Sequence, residues 1–525
     1  MSKFKKLLRQ PGQFVLDSKV YRRYALGRNQ ALRLGGPIST LAVGSAENRS
    51  SLQRRVLEGL GRAVPALDVT DSGPPRIAVL REHLPYLTEF LYDLCHRAGL
   101  KVSIRAGKHV LAVSDAKLFT LDDFLCTAKH FQAALSLPTG VARIGISFEL
   151  WSSEAEEVVG PRANTVARRI AKRTVAAHGF FKRGPLRHVG ELLSHPLPTA
   201  VDFPVDVVYT WVNHRDPHWR ALWEKTVGRP LESDAPDSQA LDRYMNRDEL
   251  KFSLRSVSEH APWVRRIFVV TNCAPPDWLD VDNPKIVWID HAKIIPPQFL
   301  PTFSSHAIES RLHHVPDLAN HFLYFNDDFF LMRPTLPSEF FEASGVSKAF
   351  VEEYGSVNGE VDPADPDYLN AARNGRRLLE EGFRRSATAL HRHTPYALRK
   401  DVLLEMEERF RGPISRTTAN RFRTPQDIST VSFLYHHYAY LTGRAAYAPS
   451  DSALVKPQAI GYVGKLVDLL EGLKVPISLC LNDGGGSLGF PHWDRHVVEF
   501  LEGCFPEPCE LERPQEKKAA TKPSA

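Results

Sequence analysis

A chain of 525 residues with 43% hydrophobic and 24% charged residues has an ordinary globular composition, but it is too long for one hydrophobic core, so two or more domains are expected. Its formal charge of +6 is modest, and no apolar run approaches the ~18 residues that a membrane-spanning helix needs. Cys95, Cys126, Cys273, Cys480, Cys504 and Cys509 are scattered without a C-x-x-C pair, which excludes a disulfide framework and a zinc finger and points to reduced thiols in a cytoplasmic protein.

Residues 1–37 form a basic leader: Lys3, Lys5, Lys6, Arg9, Lys19, Arg22, Arg23, Arg28 and Arg33 face the single acid Asp17. It lacks the apolar core of a signal peptide. Two readings stand side by side. One is peripheral contact with an anionic membrane on the inner face of the plasma membrane, where each basic residue contributes about 1 kcal/mol. The other is a solvated leader, since Pro11-Gly12 interrupts any long apolar face. Residues 38–200 read as a small α+β accessory region. Strands are expected at Ile77–Leu80, Lys101–Arg105, His109–Val113 and Arg143–Leu150, and helices at Tyr86–Arg97 and Leu121–Leu135. A basic helix is expected at Thr165–Ala177. With no recognised nucleic-acid module beside it, that run is a solvated face and nucleic acid is not an expected partner.

From Val201 the pattern changes. Val205–Val212, Arg266–Thr271, Lys285–Ile289 and the run before Asn326 are unbroken β-branched and aromatic segments, as in strands buried on both faces. Helical spacing separates them, around Leu250, Leu254 and Val257 and over Ala307–Leu318. That alternation predicts an α/β domain over 201–510, a mostly parallel sheet with helices on both faces. Further helices are expected at Asn370–Phe383, Asp401–Phe410 and Ile428–Leu441, then a strand at Ile477–Leu481. Residues 511–525 read as a disordered polar tail.

The chemistry concentrates where the strands end. His321-Phe-Leu-Tyr-Phe-Asn326-Asp327-Asp328 carries an apolar strand straight into adjacent carboxylates. Ligands of open α/β sheets sit at that end of the strands, and a carboxylate pair suits Mg²⁺ or Mn²⁺ carrying substrate phosphates. An Asx turn is the plainer alternative. Asn482-Asp483 and Trp211-Val-Asn213-His-Arg-Asp216 decorate two further strand ends, and three such ends argue against unrelated turns. Trp211 could pack in the core or stack on a nucleobase. His393 and Arg421-Phe-Arg423 offer an acid–base group and planar forks for phosphate.

Together these segments resemble the Stealth family of sugar-1-phosphate transferases, over roughly residues 200–510. The blocks are Asp206-Val-Val-Tyr-Thr-Trp211-Val-Asn213-His-Arg-Asp216; Arg243-Tyr-Met-Asn-Arg-Asp-Glu249-Leu-Lys-Phe-Ser-Leu-Arg255 through Ala307-Ile-Glu309 to Asn326-Asp327-Asp328; His393-Thr-Pro395 to Arg421-Phe-Arg423; and Cys480-Leu-Asn482-Asp483. The resemblance implies a nucleotide-sugar transferase-like domain that moves a hexose 1-phosphate from a UDP-sugar to a hydroxyl of a glycan or polysaccharide acceptor, as in capsule or exopolysaccharide synthesis. It implies Asp327 and Asp328 as metal contact or base, His393 and Arg423 as catalytic or phosphate-stabilising partners, and Asn482 and Asp483 closing the site. Asp206, Trp211, Asn213 and Asp216 would hold the nucleotide. Arg243, Glu249, Arg255, Glu309, Asn326 and Arg421 complete the substrate-binding set. His214 and Ser304 depart from the family pattern, which bears on nucleotide and sugar preference. Competing readings are a metal-dependent glycosyltransferase that releases UDP and a non-catalytic scaffold binding glycan or nucleotide-sugar. Homo-oligomerisation stays open.

Overall fold

Alternating burial builds the first part of this chain, and unbroken apolar runs build the second. The computed structural model describes residues 49–514, apart from 72, 139–142, 178–181, 232–238, 240, 471–474, 484–489 and 491. The basic leader and residues 515–525 lie outside the described residues. The chain divides into two units, residues 1–197 with 467–474, and residues 198–466 with 475–525.

The first unit is a sheet of β1 (Ala66–Asp68), β2 (Arg76–Leu80), β3 (Lys101–Ala106), β4 (His109–Ala112), β5 (His130–Ser136), β6 (Arg143–Ser153), β7 (Glu157–Val159) and β8 (Arg169–Ala171). Its order is β1-β2-β6-β5-β3-β4, with β7 between β6 and β8. The helices Arg49–Ala63 and Leu84–His96 place Leu52, Val56, Leu60, Leu87, Phe90 and Leu94 in one core with Phe131, Ala133 and Leu135 of β5. The helix expected over Leu121–Leu135 splits. Only Leu118–Leu125 is helical, and β5 follows, because Phe131, Ala133 and Leu135 alternate and pair between β3 and β6. The basic helix expected over Thr165–Ala177 is likewise cut down to Lys172–Ala177. Asn164 accepts from the amides of Val166 and Ala167, closing a turn, and Arg169 in β8 pairs with Glu154 and Glu157. Part of that basic patch is therefore neutralised in place.

The second unit is an α/β fold on a mostly parallel sheet. It contains β9 (Val205–Thr210), β10 (Ile267–Thr271), β11 (Ile286–Asp290), β12 (His321–Asn326), β13 (Phe329–Leu331), β14 (Ser347–Ala349), β15 (Tyr396–Arg399), β16 (Ala445–Tyr447), β17 (Ser452–Val455) and β18 (Ser478–Leu481). The main sheet runs β11-β10-β9-β12-β15; the first four strands are parallel and β15 is antiparallel to β12. Every residue of β10 is buried, so both faces are covered, since successive side chains point to opposite sides. On one face Tyr209 meets Ser253 of the helix Glu249–His260. On the other, the Tyr324 hydroxyl meets Thr210 of β9 and reaches Glu309 of the short helix Ser305–Glu309.

Three expectations change here. The helix expected over Ala307–Leu318 is a short one capped by Ser304, followed by a 3₁₀ turn at Leu312–His314. The strand ending in Asn482-Asp483 does not join the main sheet. It is β18, antiparallel to β13 and parallel to β17 in a separate three-stranded sheet. The polar tail starts later than expected: Leu511 is buried and Glu512 pairs with the buried Arg255. All six cysteines are free thiols, and no described helix is long and apolar enough to cross a membrane.

Candidate active site

The carboxyl ends of β9 and β12 open into a cavity of about 650 Å³, lined at that edge by Thr210, Trp211, Asn326, Asp327 and Asp328. Its acidic wall begins with a two-residue connection. β12 stops at Asn326 and β13 starts at Phe329, with Phe325 and Phe329 fully buried on either side. Asp327 and Asp328 are thereby held at the cavity wall. β18 runs antiparallel to β13, and the Leu481 amide donates to the Asp328 carbonyl at 3.1 Å. That register brings Asn482 and Asp483 alongside the turn. Asn482 Nδ2 and Cys480 Sγ each lie 3.4 Å from Asp328 Oδ2, while Oδ1 of Asp328 is buried without a partner among the described residues.

Glu249, at the first turn of its helix, and Asp483 complete an acidic cluster that holds Arg247. Arg247 Nη1 lies 3.3 Å from Glu249 Oε1 and 3.2 Å from Asp483 Oδ2, and its Nε reaches Asp494. Burial, reinforced by Glu249 and Asp328, holds the Asp327 carboxyl well above the usual range. Burial pushes Asp328 up to about 7, against the Cys480 and Asn482 hydrogen bonds and with Asp483 and Glu249 adding to the rise.

A second group of lining residues is basic. Arg423 donates to Ser305 Oγ from Nε at 3.1 Å and from Nη2 at 2.5 Å. Its place is set by Asp427, which accepts from the amide of Thr424, from Asn420 Nδ2 and from the Thr424 hydroxyl, and which lies 3.1 Å from His306 Nδ1. Phe422 stacks on Phe303 at 5.4 Å between centroids. Burial and the neighbouring Arg243 lower the pKa of Arg423, and Glu309 opposes that. Burial pushes Glu309 itself up to about 7, against Arg423 and the Tyr324 hydroxyl; its Oε2 is buried without a partner among the described residues. The Tyr324 hydroxyl also lies 2.9 Å from Asn326 Oδ1. His393 lines the same cavity. Burial and Lys456 hold its pKa down at about 4, leaving a neutral imidazole near neutral pH.

The cavity thus gathers Trp211, Arg243, Glu249, Glu309, Asn326, Asp327, Asp328, His393, Arg423, Asn482 and Asp483. Five other residues expected at the site lie outside its lining. Asp206 sits at the far end of β9, where Arg265 grips both its oxygens at 2.8 and 2.6 Å and the Ala319 amide donates at 2.7 Å. Asn213 accepts from the Arg215 amide. Asp216 caps the helix Pro217–Val227 through the Trp219 amide and takes a second bond from the Ala274 amide. Arg255 forks onto Glu512 at 2.6 and 2.7 Å and donates to the Phe505 carbonyl. The Arg421 side chain is exposed; the residue contributes its carbonyl to the Phe303 amide. For the first four, short-range protein partners consume the polar group, which sequence alone does not show. His214 and Ser304, the two departures from the family pattern, also lie outside the lining: His214 accepts from the Asn246 amide and Ser304 caps a helix.

Arg247 was not singled out from the sequence. Its signal is weak, one Arg among Asn246, Asp248 and Glu249, because two of its partners lie more than 230 residues away.

A divalent cation fits the acidic wall. Asp327 and Asp328 repel one another, Asp328 Oδ1 lacks a donor among the described residues, and two carboxylates leave room for phosphate oxygens, the usual arrangement for Mg²⁺. Among the described residues, His313, His314 and Glu407 also have ligand atoms close enough to share an ion. They lie outside this cavity, and Arg311 already engages the Glu407 carboxylate.

Two conserved-region models of the Stealth protein family match this chain, region 2 over residues 243–349 and region 3 over residues 392–440. The chain is 37% identical over 449 residues to the capsular polysaccharide phosphotransferase SacB of Neisseria meningitidis serogroup A, covering 84% of this chain and 81% of that protein. It is 38% identical to the exopolysaccharide phosphotransferase SCO6023 of Streptomyces coelicolor (72% of this chain, 66% of that one). Against an exopolysaccharide phosphotransferase of Nocardia farcinica the identity is 34% (86% and 88%). A crystal structure of the galactosyltransferase LgtC aligns over 58% of this chain and 98% of that chain at 12% identity, with a TM-score of 0.28 that carries no argument. On the extent of these sequence matches, the chain belongs to the Stealth family, whose members include capsular and exopolysaccharide phosphotransferases.

Proposed function

We propose that the second unit transfers a hexose 1-phosphate from a UDP-sugar to a hydroxyl of a glycan acceptor, forming a phosphodiester and releasing UMP. The observation that carries this reading is that one cavity gathers an acidic group (Asp327, Asp328, Glu249, Asp483) and a basic group (Arg423, Arg243). A diphosphate linkage bridging the two groups meets a cation site at one and guanidinium at the other. Phosphoryl transfer asks the protein mainly for such positioning and charge neutralisation.

In this reading Asp327 and Asp328 hold a divalent cation, which when bound offsets phosphate charge. Arg423, fixed by Ser305, faces the phosphate oxygens. Trp211 stands beside the nucleotide, its buried Nε1 lacking a partner among the described residues. The neutral His393 imidazole takes the proton of the attacking hydroxyl, and its low affinity for that proton rises once anionic phosphates enter. The new bond joins the acceptor oxygen to the phosphorus next to the sugar; the bond from that phosphorus to UMP breaks. The anomeric carbon–oxygen bond is untouched, so the sugar keeps its configuration.

Phosphorus NMR of the glycan product with a UDP-sugar donor tests this. A phosphodiester in the product and UMP in solution are expected. UDP as the sole nucleotide product, with no phosphorus in the glycan, would replace the reading with a glycosyltransferase.

A further inference from the structure

Tyr354 and Tyr368 line the cavity yet are 65% and 53% exposed. Large rings left in water on a concave wall mark a ligand surface. Another exposed tyrosine pair of this unit is satisfied internally: Tyr440 and Tyr447 stack 4.0 Å apart, and the Tyr447 hydroxyl meets His437 Nδ1. Among the described residues, Tyr354 and Tyr368 have no ring partner and no hydrogen-bond partner for their hydroxyls.

The segment carrying Tyr354 is pinned along its length. The Glu352 amide donates to the Leu390 carbonyl, and the amides of Ser356 and Val357 to that of Thr388. The helix Asp367–Phe383, whose first turn carries Tyr368, holds the same segment from the other side. Arg373 Nε donates to the Asn358 carbonyl at 2.7 Å, Arg376 Nη2 to Gly359 at 2.7 Å, and Asn370 Nδ2 to Asp362 at 2.6 Å. One framework thus presents both rings. Rigid rings on a fixed backbone lose little entropy when a ligand settles on them.

The dimensions of the site choose the ligand. A cavity of about 650 Å³ encloses a small molecule of roughly nucleotide-sugar size and little more. The donor's charged linkage belongs deep, between Asp328 and Arg423. A polymeric acceptor reaches the same phosphorus only through the mouth, with its remaining sugars left on exposed surface. A pyranose has an apolar C–H face and a hydroxyl edge, and tyrosine, apolar in its ring and polar at its tip, matches both.

We propose, building on the transferase reading above, that Tyr354 and Tyr368 form the acceptor subsite, on which sugar rings of the glycan next to the reacting hydroxyl stack.

The test separates this subsite from the reaction. Saturation-transfer NMR is run without donor on a panel of hexose-1-phosphate-linked oligosaccharides of increasing length, using the full chain and its Tyr354→Ala, Tyr368→Ala, Tyr354→Phe and Tyr368→Phe variants. Both tyrosines are exposed, so the variants keep the fold. Wild-type and Phe variants are expected to bind, and each Ala variant to bind about 5- to 10-fold more weakly. In the transfer assay the same loss appears in the acceptor KM, with kcat and donor KM held. Equal binding by wild type and Ala variants, equal loss in Phe and Ala variants, or no oligosaccharide binding by the wild type overturns the subsite. Failure of the transferase reading shows separately, as absence of phosphodiester product whatever the binding result.

Discussion

Replacing Glu309 with Gln should make the protein more stable at pH 8, relative to wild type, than at pH 5. The side chain lies against Arg423 and Tyr324, with Oε1 3.3 Å from the Tyr324 hydroxyl and Oε2 buried without a donor among the described residues. Burial raises its pKa from the ordinary 4.5 to about 7. A carboxyl whose folded pKa lies above its unfolded one contributes stability that is complete below the unfolded value. That contribution is lost as pH rises through the folded value. Between pH 4.5 and about 7 the unfolded chain has released the proton while the folded chain still holds it, so wild-type stability falls across that window and levels off above it. At 1.36 kcal/mol per pH unit the gap is worth on the order of 3 kcal/mol. The amide introduced by Glu309→Gln keeps the shape of the protonated carboxyl and has nothing to titrate. Urea unfolding of both proteins at pH 5 and pH 8 measures the effect as a difference of differences, in which all other titrating groups cancel. A wild-type-to-variant gap that is the same at both pH values would show that Glu309 titrates normally and that the basic group is wetter than its burial indicates.

Asp328→Asn should leave the fold intact, since an amide keeps the shape of the turn, while lowering turnover by about 10²–10³; near wild-type transfer with Mg²⁺ present would remove the acidic turn from the mechanism. Arg247→Met removes the counter-charge from the buried Glu249, so a stability loss of about 3–5 kcal/mol is expected in urea unfolding, with donor KM raised in whatever protein remains folded. Arg255→Met should cost a similar amount, about 3–5 kcal/mol, by orphaning Glu512. Its folded fraction should keep the wild-type donor KM, and a raised KM would return Arg255 to the site.

The second unit was legible because its strands announce themselves. Val205–Tyr209 and Phe322–Phe325 are buried at every position, and their largely apolar runs are a pattern that only a sheet covered on both faces tolerates. The first unit was less so. Around Leu121–Leu135 apolar residues satisfy helical spacing as readily as alternation over so few residues. The choice was made by β3 and β6, which lie on either side of His130–Ser136 and need its backbone donors. Register between distant segments leaves no local trace.

The same division runs through the site. The acidic turn could be read directly, because Asn326-Asp327-Asp328 follows a strand that has nowhere to continue without exposing two carboxylates. Asp206 and Arg255 were named through the family resemblance, and the structure places each on a partner that the sequence does not set beside it. Arg265 is 59 residues from Asp206, and Glu512 is 257 from Arg255. A buried charge must find an opposite charge or a set of donors somewhere, and sequence reveals the need without revealing which need is met within the protein. At Asp328 Oδ1, Glu309 Oε2 and Trp211 Nε1 it is not met among the described residues. All three residues line one cavity, and burying such atoms unsatisfied costs stability. A ligand that bonds with them recovers that cost.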